Sequence, residues 1–140
     1  MIAFLDASAL IYLVEGTPPF RDRVRQQVRD AIGLRPDTDS AVSRLSWLEC
    51  RVRPARNRDA RVLAAFDVFF AQPDLLWVEL TKDVIELATA IRVLHGLRTP
   101  DALQAGCCLQ LGPDHVFLTG DRTFGRVAGL NVKVLRGSAQ

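Results

Sequence analysis

The sequence predicts an α/β fold: a single three-layer domain over residues 1–140, with a five-stranded, mostly parallel sheet flanked by helices. Three observations lead there. Ile2 to Leu5 is a short unbroken apolar run, as expected of a strand buried on both faces of a parallel sheet. Such runs alternate along the chain with segments of helical periodicity, the signature of βα units. The chain has 140 residues, one domain of common size, able to bury about 68–70% of its unfolded surface.

The elements follow in order. Strand one ends at Asp6, and Ala7, Ala9, Leu10, Ile11 and Leu13 continue as a helix. Gly16-Thr-Pro-Pro19 breaks it. Phe20, Val24, Val28, Ala31 and Ile32 mark a second helix, ended by Gly33 and Pro36. Ser40–Ser43 reads as a weak second strand. Leu45, Leu48 and Val52 are expected on the inner face of the next helix, which Pro54 should interrupt. Arg58 to Phe70 resumes as helix with Val62, Ala65, Phe66 and Phe69 inward. Leu75–Leu80 is the third strand. Thr81 caps a helix through Val84, Leu87, Ala88, Ile91 and Leu94 that Gly96 stops. Thr99-Pro100 opens another through Leu103, Gly106, Cys107 and Leu111, closed by Gly112-Pro113. His115–Thr119 is strand four, a short helix lies near Phe124 to Val127, and Asn131–Leu135 is strand five.

Composition narrows the class. The chain is 49% hydrophobic and 24% charged, as soluble globular proteins are. No apolar run approaches the ~20 residues of a membrane span, and Asp6 and Glu15 interrupt the apolar start, so neither a membrane anchor nor a secretory signal is expected. Cys50, Cys107 and Cys108 lack metal-ligand spacing and suit small buried side chains in a reducing cytoplasm. Of the 18 basic residues, all but Lys82 and Lys133 are arginine. Arginine forks phosphate and stacks on bases better than lysine does, although a codon bias toward arginine explains the excess equally well.

Sheet polarity sorts the acids. Asp6 follows strand one, Asp121 follows strand four, Glu49 lies about two turns beyond strand two, and Asp101 is in the first turn of the Thr99-Pro100 helix. All four can reach the carboxyl edge of the sheet, where open α/β folds place their ligands. Asp39, Asp74, Asp114 and His115 belong to the opposite edge. Singly, Asp6 and Asp121 serve as helix caps, Asp101 complements a helix dipole, and Glu49 is a solvated flank residue. Together they repel one another unless a cation intervenes. Oxygen-only ligands select a hard ion, Mg²⁺ or Mn²⁺, suited to phosphoryl chemistry with a metal-activated water as the attacking group. The expected direct ligands are Asp6 and Asp101, supported by Glu49 and Asp121. Ser8 and Thr119 would orient carboxylates or waters. Neither His95 nor His115 is placed to activate a hydroxyl nucleophile.

The apolar strand ending in Asp6-Ala-Ser8, the S43-x-x-S-W-L-E49 helix, T99-P-D101-A-L-x-A and F117-L-T-G-D121 together resemble the PIN-domain nucleases. In so short a chain the resemblance is to the VapC-type toxins of bacterial toxin–antitoxin pairs, and it covers nearly the whole length. It implies strand order 3-2-1-4-5, Mg²⁺-dependent endoribonuclease activity in the cytoplasm, a small antitoxin as partner, and a homodimer. Asp6, Glu49, Asp101 and Asp121 match the family's acid positions in turn. Gly120 departs from the pattern, standing where the family often has a polar residue. Arg51, Arg53, Arg56, Arg58 and Arg61, in a solvated turn, are candidates for contact with RNA backbone or with an acidic antitoxin patch.

Other readings are weaker. A receiver domain needs an acceptor Asp after strand three, where this chain has Glu79-Leu80-Thr81, and a Lys after strand five, where Lys133 lies within the strand. A haloacid-dehalogenase-like phosphatase needs a second acid where Ser8 stands. A catalytically silent binding module of the same fold is the remaining alternative.

Overall fold

The computed structural model describes residues 1–33 and 35–137. Its elements are β1 (Ile2–Leu5), α1 (Ala7–Glu15), α2 (Phe20–Ile32), β2 (Asp39–Ser43), α3 (Arg44–Arg56), α4 (Ala60–Phe70), β3 (Leu76–Val78), α5 (Lys82–His95), α6 (Thr99–Gln110), β4 (His115–Thr119), a 3-10 turn (Arg122–Arg126) and β5 (Val132–Val134). The strands form one sheet in the order β3-β2-β1-β4-β5, and every neighbouring pair is parallel. Fold class and strand order are those expected. Among the described residues, no helix is long and apolar enough to cross a membrane.

β1 is central, paired on one side with β2 and on the other with β4, in register from Ile2↔His115 to Leu5↔Leu118. The chain moves outward in opposite directions from β1, which makes the β1/β4 boundary the switch point where a crevice opens beyond the strand ends. Alternation along β1 divides the core. Phe4 joins Phe117, Ala41, Ala88, Ile91, Ala105 and Phe124 on one face. Ala3 and Leu5 join Leu10, Val24, Val42, Phe66, Phe70 and Leu118 on the other. Phe4 and Phe117 stack at 5.4 Å, and Phe124 tilts against Phe117 at 4.7 Å, a geometry that adds to simple area burial. α5 and α6 approach closely because position 106 is glycine: a Cβ there would stand 3.1 Å from the Val84 carbonyl.

Four expectations are corrected. Leu48 and Val52 do not face inward: they are 59% and 41% exposed, and α3 turns Ser46, Cys50 and Pro54 to the core instead. The inner face is made of small side chains because α3 lies close over α1, with Cys50 Sγ 3.9 Å from the Ala7 carbonyl. Pro54 does not interrupt α3, which runs to Arg56. A proline removes one rung of the ladder, here near the end of the helix, and the chain recovers through Asn57 N–H to the Arg53 carbonyl and Asp59 N–H to the Pro54 carbonyl. Leu94 and Ala65 also lie outward, with Leu94 73% exposed. β3 and β5 are shorter than their apolar runs, three residues each, as edge strands commonly are.

Trp47 and Trp77 anchor the β3 side. Both pack on Phe70, and the Arg44 guanidinium lies 4.1 Å from the Trp77 ring and 5.2 Å from that of Trp47. Phe20 meets Tyr12 edge-on. The three cysteines are buried and unpaired. Phe117→Ala removes the middle ring of the Phe4–Phe117–Phe124 stack and should cost about 3–5 kcal/mol, read as a lower midpoint in urea-induced unfolding.

Candidate active site

Asp6 caps α1 immediately after β1 and is 4% exposed. Oδ1 accepts from Ala9 N–H at 2.9 Å and from Ser8 Oγ at 2.7 Å; Oδ2 accepts from Thr119 Oγ1 at 2.5 Å. The hydroxyl protons are directed by what the two oxygens themselves accept. Ser8 Oγ receives Gly120 N–H at 2.8 Å and Thr119 Oγ1 receives Asp121 N–H at 3.0 Å. Each hydroxyl thus donates to Asp6 and accepts from the turn after β4. Ser8 and Thr119 therefore orient Asp6 and tie β1 to β4. One lone-pair direction on Oδ2 is left for a further partner. Burial pushes the Asp6 carboxyl above its ordinary range; the bonds from Thr119, Ala9 and Ser8 oppose this, and the charge of Glu49 adds to it.

Glu49 is half-buried on α3, held at Oε1 by Gln104 Nε2 at 2.9 Å. Its carboxyl is also raised, first by burial and then by the charge of Asp101, while Gln104 and Arg98 oppose the shift. Asp101, in the first turn of α6, is paired with Arg98 at 3.1 Å, the two side chains being 19% and 80% exposed. Asp121 caps the 3-10 turn through Thr123 N–H at 2.9 Å. Asp101 and Asp121 share a pocket of about 310 Å³ with Arg98, Thr123 and Arg126. The charge of Glu49 thus acts on Asp6 and that of Asp101 on Glu49, while Asp101 and Asp121 line one pocket. Among the described residues, no three carboxylate, imidazole or thiol groups already stand as a cluster able to hold an ion. Asp101 is instead engaged by Arg98. That pair is exposed on one side and worth only ~0–1 kcal/mol, so it yields readily to a stronger partner.

The donor chemistry fits a hard cation: oxygen atoms only, with the Asp6 and Glu49 carboxyls raised first by burial and then by a neighbouring acid, and with no basic side chain paired to Asp6, Glu49 or Asp121 among the described residues. The opposite edge is separate. His115 is buried there between the Gly112 carbonyl and Asn131 N–H, and Asp114 pairs with Arg35 and the amino terminus. His95 lies at the end of α5, where its Nε2 accepts from Ala128 N–H. Glu79, where a receiver domain would carry its acceptor, is taken by a two-pronged Arg44 contact that lowers its carboxyl.

Two features escaped sequence reasoning. Gln104 is 3% exposed and bonds both Ser46 and Glu49; the signal was a polar residue one turn beyond Asp101 on an otherwise apolar helix face. Tyr12 lies against Gly120, where a Cβ would stand 2.5 Å from the phenol oxygen. The glycine at this position is required by the ring beside it.

Comparisons with known proteins bear on the fold. The chain resembles, at 14% identity and a TM-score of 0.77, a structure of VapBC2 from Rickettsia felis bound to a promoter DNA fragment, covering 97% of this chain and 100% of that one. It resembles VapBC-1 from nontypeable Haemophilus influenzae at 18% identity and a TM-score of 0.69, covering 96% and 98%. A structure of FitAcB from Neisseria gonorrhoeae gives 18% identity and a TM-score of 0.62, with 98% of each chain covered. These likenesses establish the fold. No curated protein matches in sequence. The family model described as PIN domain matches residues 3–130, nearly the whole chain, and with the acids placed as described, the chain belongs to the PIN-domain family.

Proposed function

We propose that this chain is a metal-dependent endoribonuclease, the toxin of a toxin–antitoxin pair, with Asp6, Glu49, Asp101 and Asp121 as its catalytic acids. The observation that carries the reading is Asp6, buried at the end of β1 and locked by Ser8 and Thr119, with Asp121 following β4 and sharing a pocket with Asp101. Membership of the PIN-domain family supports nuclease chemistry, and the fold it shares with chains of VapBC complexes supports a small antitoxin as partner. The outward apolar side chains of α3 and α5, Leu48, Val52, Ile85, Val93 and Leu94, support self-association as a homodimer.

Asp6 and Asp101 would hold a Mg²⁺ or Mn²⁺ ion, with Glu49 and Asp121 beside it; such an ion supplies Lewis acidity and a water of lowered pKa. The chain's own groups complete the site. Ser8 and Thr119 keep Asp6 from rotating. Glu49, with its carboxyl raised by burial, is suited to accept a proton from an attacking water. Arg126 and a released Arg98 stand at the pocket rim where a phosphodiester would arrive. The Arg98–Asp101 pair favours a second reading, a binding module that cuts nothing, and the chelator experiment separates the two.

Asp6→Asn and Asp101→Asn should each lower the rate of RNA cleavage by at least ~10²-fold, as loss of a principal catalytic group does. EDTA should abolish cleavage by the wild-type chain and added Mg²⁺ should restore it. A fluorescent RNA assay checks both, and cleavage that persists in EDTA overturns the reading.

Stability should move the other way. A carboxyl raised on folding contributes stability below its ordinary pKa and loses it as pH rises through the raised value; for Asp6 the ordinary value is 3.8 and the shift is upward. Metal-free Asp6→Asn, whose Asn caps a helix as well as Asp, should therefore melt a few degrees above wild type at pH 7. The gap should close as pH falls toward the ordinary carboxylate range. Mg²⁺ should raise the melting temperature of wild type only. A variant that melts below wild type at pH 7 would show Asp6 to be a structural cap.

A further inference from the structure

Gln104 is buried where α6 meets α3, and its hydrogen bonds are unbalanced. Nε2 lies 2.9 Å from Ser46 Oγ and 2.9 Å from Glu49 Oε1, while Oε1 is shut off from solvent with no partner. With Glu49 ionised, the amide has one orientation. An ionised carboxylate only accepts, so the NH₂ group must face Glu49. Its two hydrogens are then shared between Ser46 and Glu49, and the carbonyl is orphaned. A methionine would fill the same volume and remove the orphaned carbonyl, but it would leave the buried Ser46 hydroxyl and the Glu49 carboxylate without their amide donor. What the glutamine gains is control of Glu49.

That control is needed because Glu49 sits among like charges. Its charge and that of Asp6 oppose each other, and the charge of Asp101 acts against it as well. A glutamate on a surface helix has rotamers that carry its head into solvent, and repulsion favours them. The amide of Gln104 opposes this by holding Oε1 and leaving Oε2 free. Ser46, one turn before Glu49 on α3, takes the other amide hydrogen and fixes the plane of the amide. Ser46 and Glu49 on α3 are thus matched by Asp101 and Gln104 on α6, each pair three residues apart and so on a shared helix face.

We infer that Gln104 is a positioning residue, whose amide holds the Glu49 carboxylate within the acidic site against repulsion by Asp6 and Asp101. The inference rests on the reading of these acids as a cation site, and its test separates the two. Mn²⁺ binding to the purified chain is followed by electron paramagnetic resonance, and RNA cleavage in parallel. Gln104→Met should weaken Mn²⁺ binding by about 10–100-fold, the usual cost of losing a partner that orients a ligand. In a Glu49→Ala background the same change should have no effect on binding. In cleavage, Gln104→Met should lower kcat and leave KM for RNA unchanged. Ser46→Ala, which frees the amide plane but keeps the glutamine, should shift binding in the same direction by less, again only with Glu49 present. Circular dichroism reports folding, and if Gln104→Met does not fold, Ser46→Ala decides.

Equal weakening with and without Glu49, or undiminished affinity in the variants, overturns the inference and leaves Gln104 a packing residue. RNA cleavage without the Glu49 coupling would leave the nuclease reading intact and sink this one. Coupled Mn²⁺ binding without RNA cleavage would do the reverse. A wild-type chain that binds no Mn²⁺ overturns the inference as well.

Discussion

The structure turns on one buried anion. Asp6 carries a carboxylate to the end of the central strand with no basic side chain paired to it among the described residues, and three donors stabilise it: a helix-terminal N–H and two hydroxyls. Desolvating a carboxylate is costly, so this placement survives only if the surrounding chain is built to meet it. The two hydroxyls come from α1 and the end of β4, and each is oriented by a backbone N–H of the turn after β4. Parallel pairing of β1 with β4 sets the distance across which this works. The carboxylate and the strand order at the switch point therefore depend on each other.

The other acids are held less firmly, in a graded way. Glu49 has one side-chain donor, Asp101 an exposed arginine, and Asp121 its own cap contact. Under the proposed nuclease reading, one fixed carboxylate among adjustable ones would suit a site that admits an ion and a polyanion in turn. Pre-organisation is concentrated at the one position that could not be corrected later without moving a strand.

Much of this was legible in the residues, and for identifiable reasons. Strands buried on both faces must be apolar, so Ile2–Leu5 and His115–Thr119 announced themselves, and the acids that follow them fell to the right edge by polarity alone. α3 was misread because periodicity assumes that large apolar side chains mark the inner face. Here close approach to α1 demands small ones, Ser46 and Cys50, and the leucine and valine were left outside. Pro54 was misplaced by a rule that holds for helix interiors and weakens in the last turn. Gln104 is marked by its neighbours in sequence only as a polar residue on an apolar helix face. Its role comes from a contact 55 positions away, which nothing local reports.

The close approach of Tyr12 to Gly120 has an evolutionary reading. A side chain of any kind at position 120 collides with the phenol ring, so the two sites cannot change independently. A lineage that acquires a polar residue at 120 must first shorten or turn aside the tyrosine, whereas the reverse order passes through an overpacked intermediate. Position 12 therefore acts as a gate on what position 120 can become.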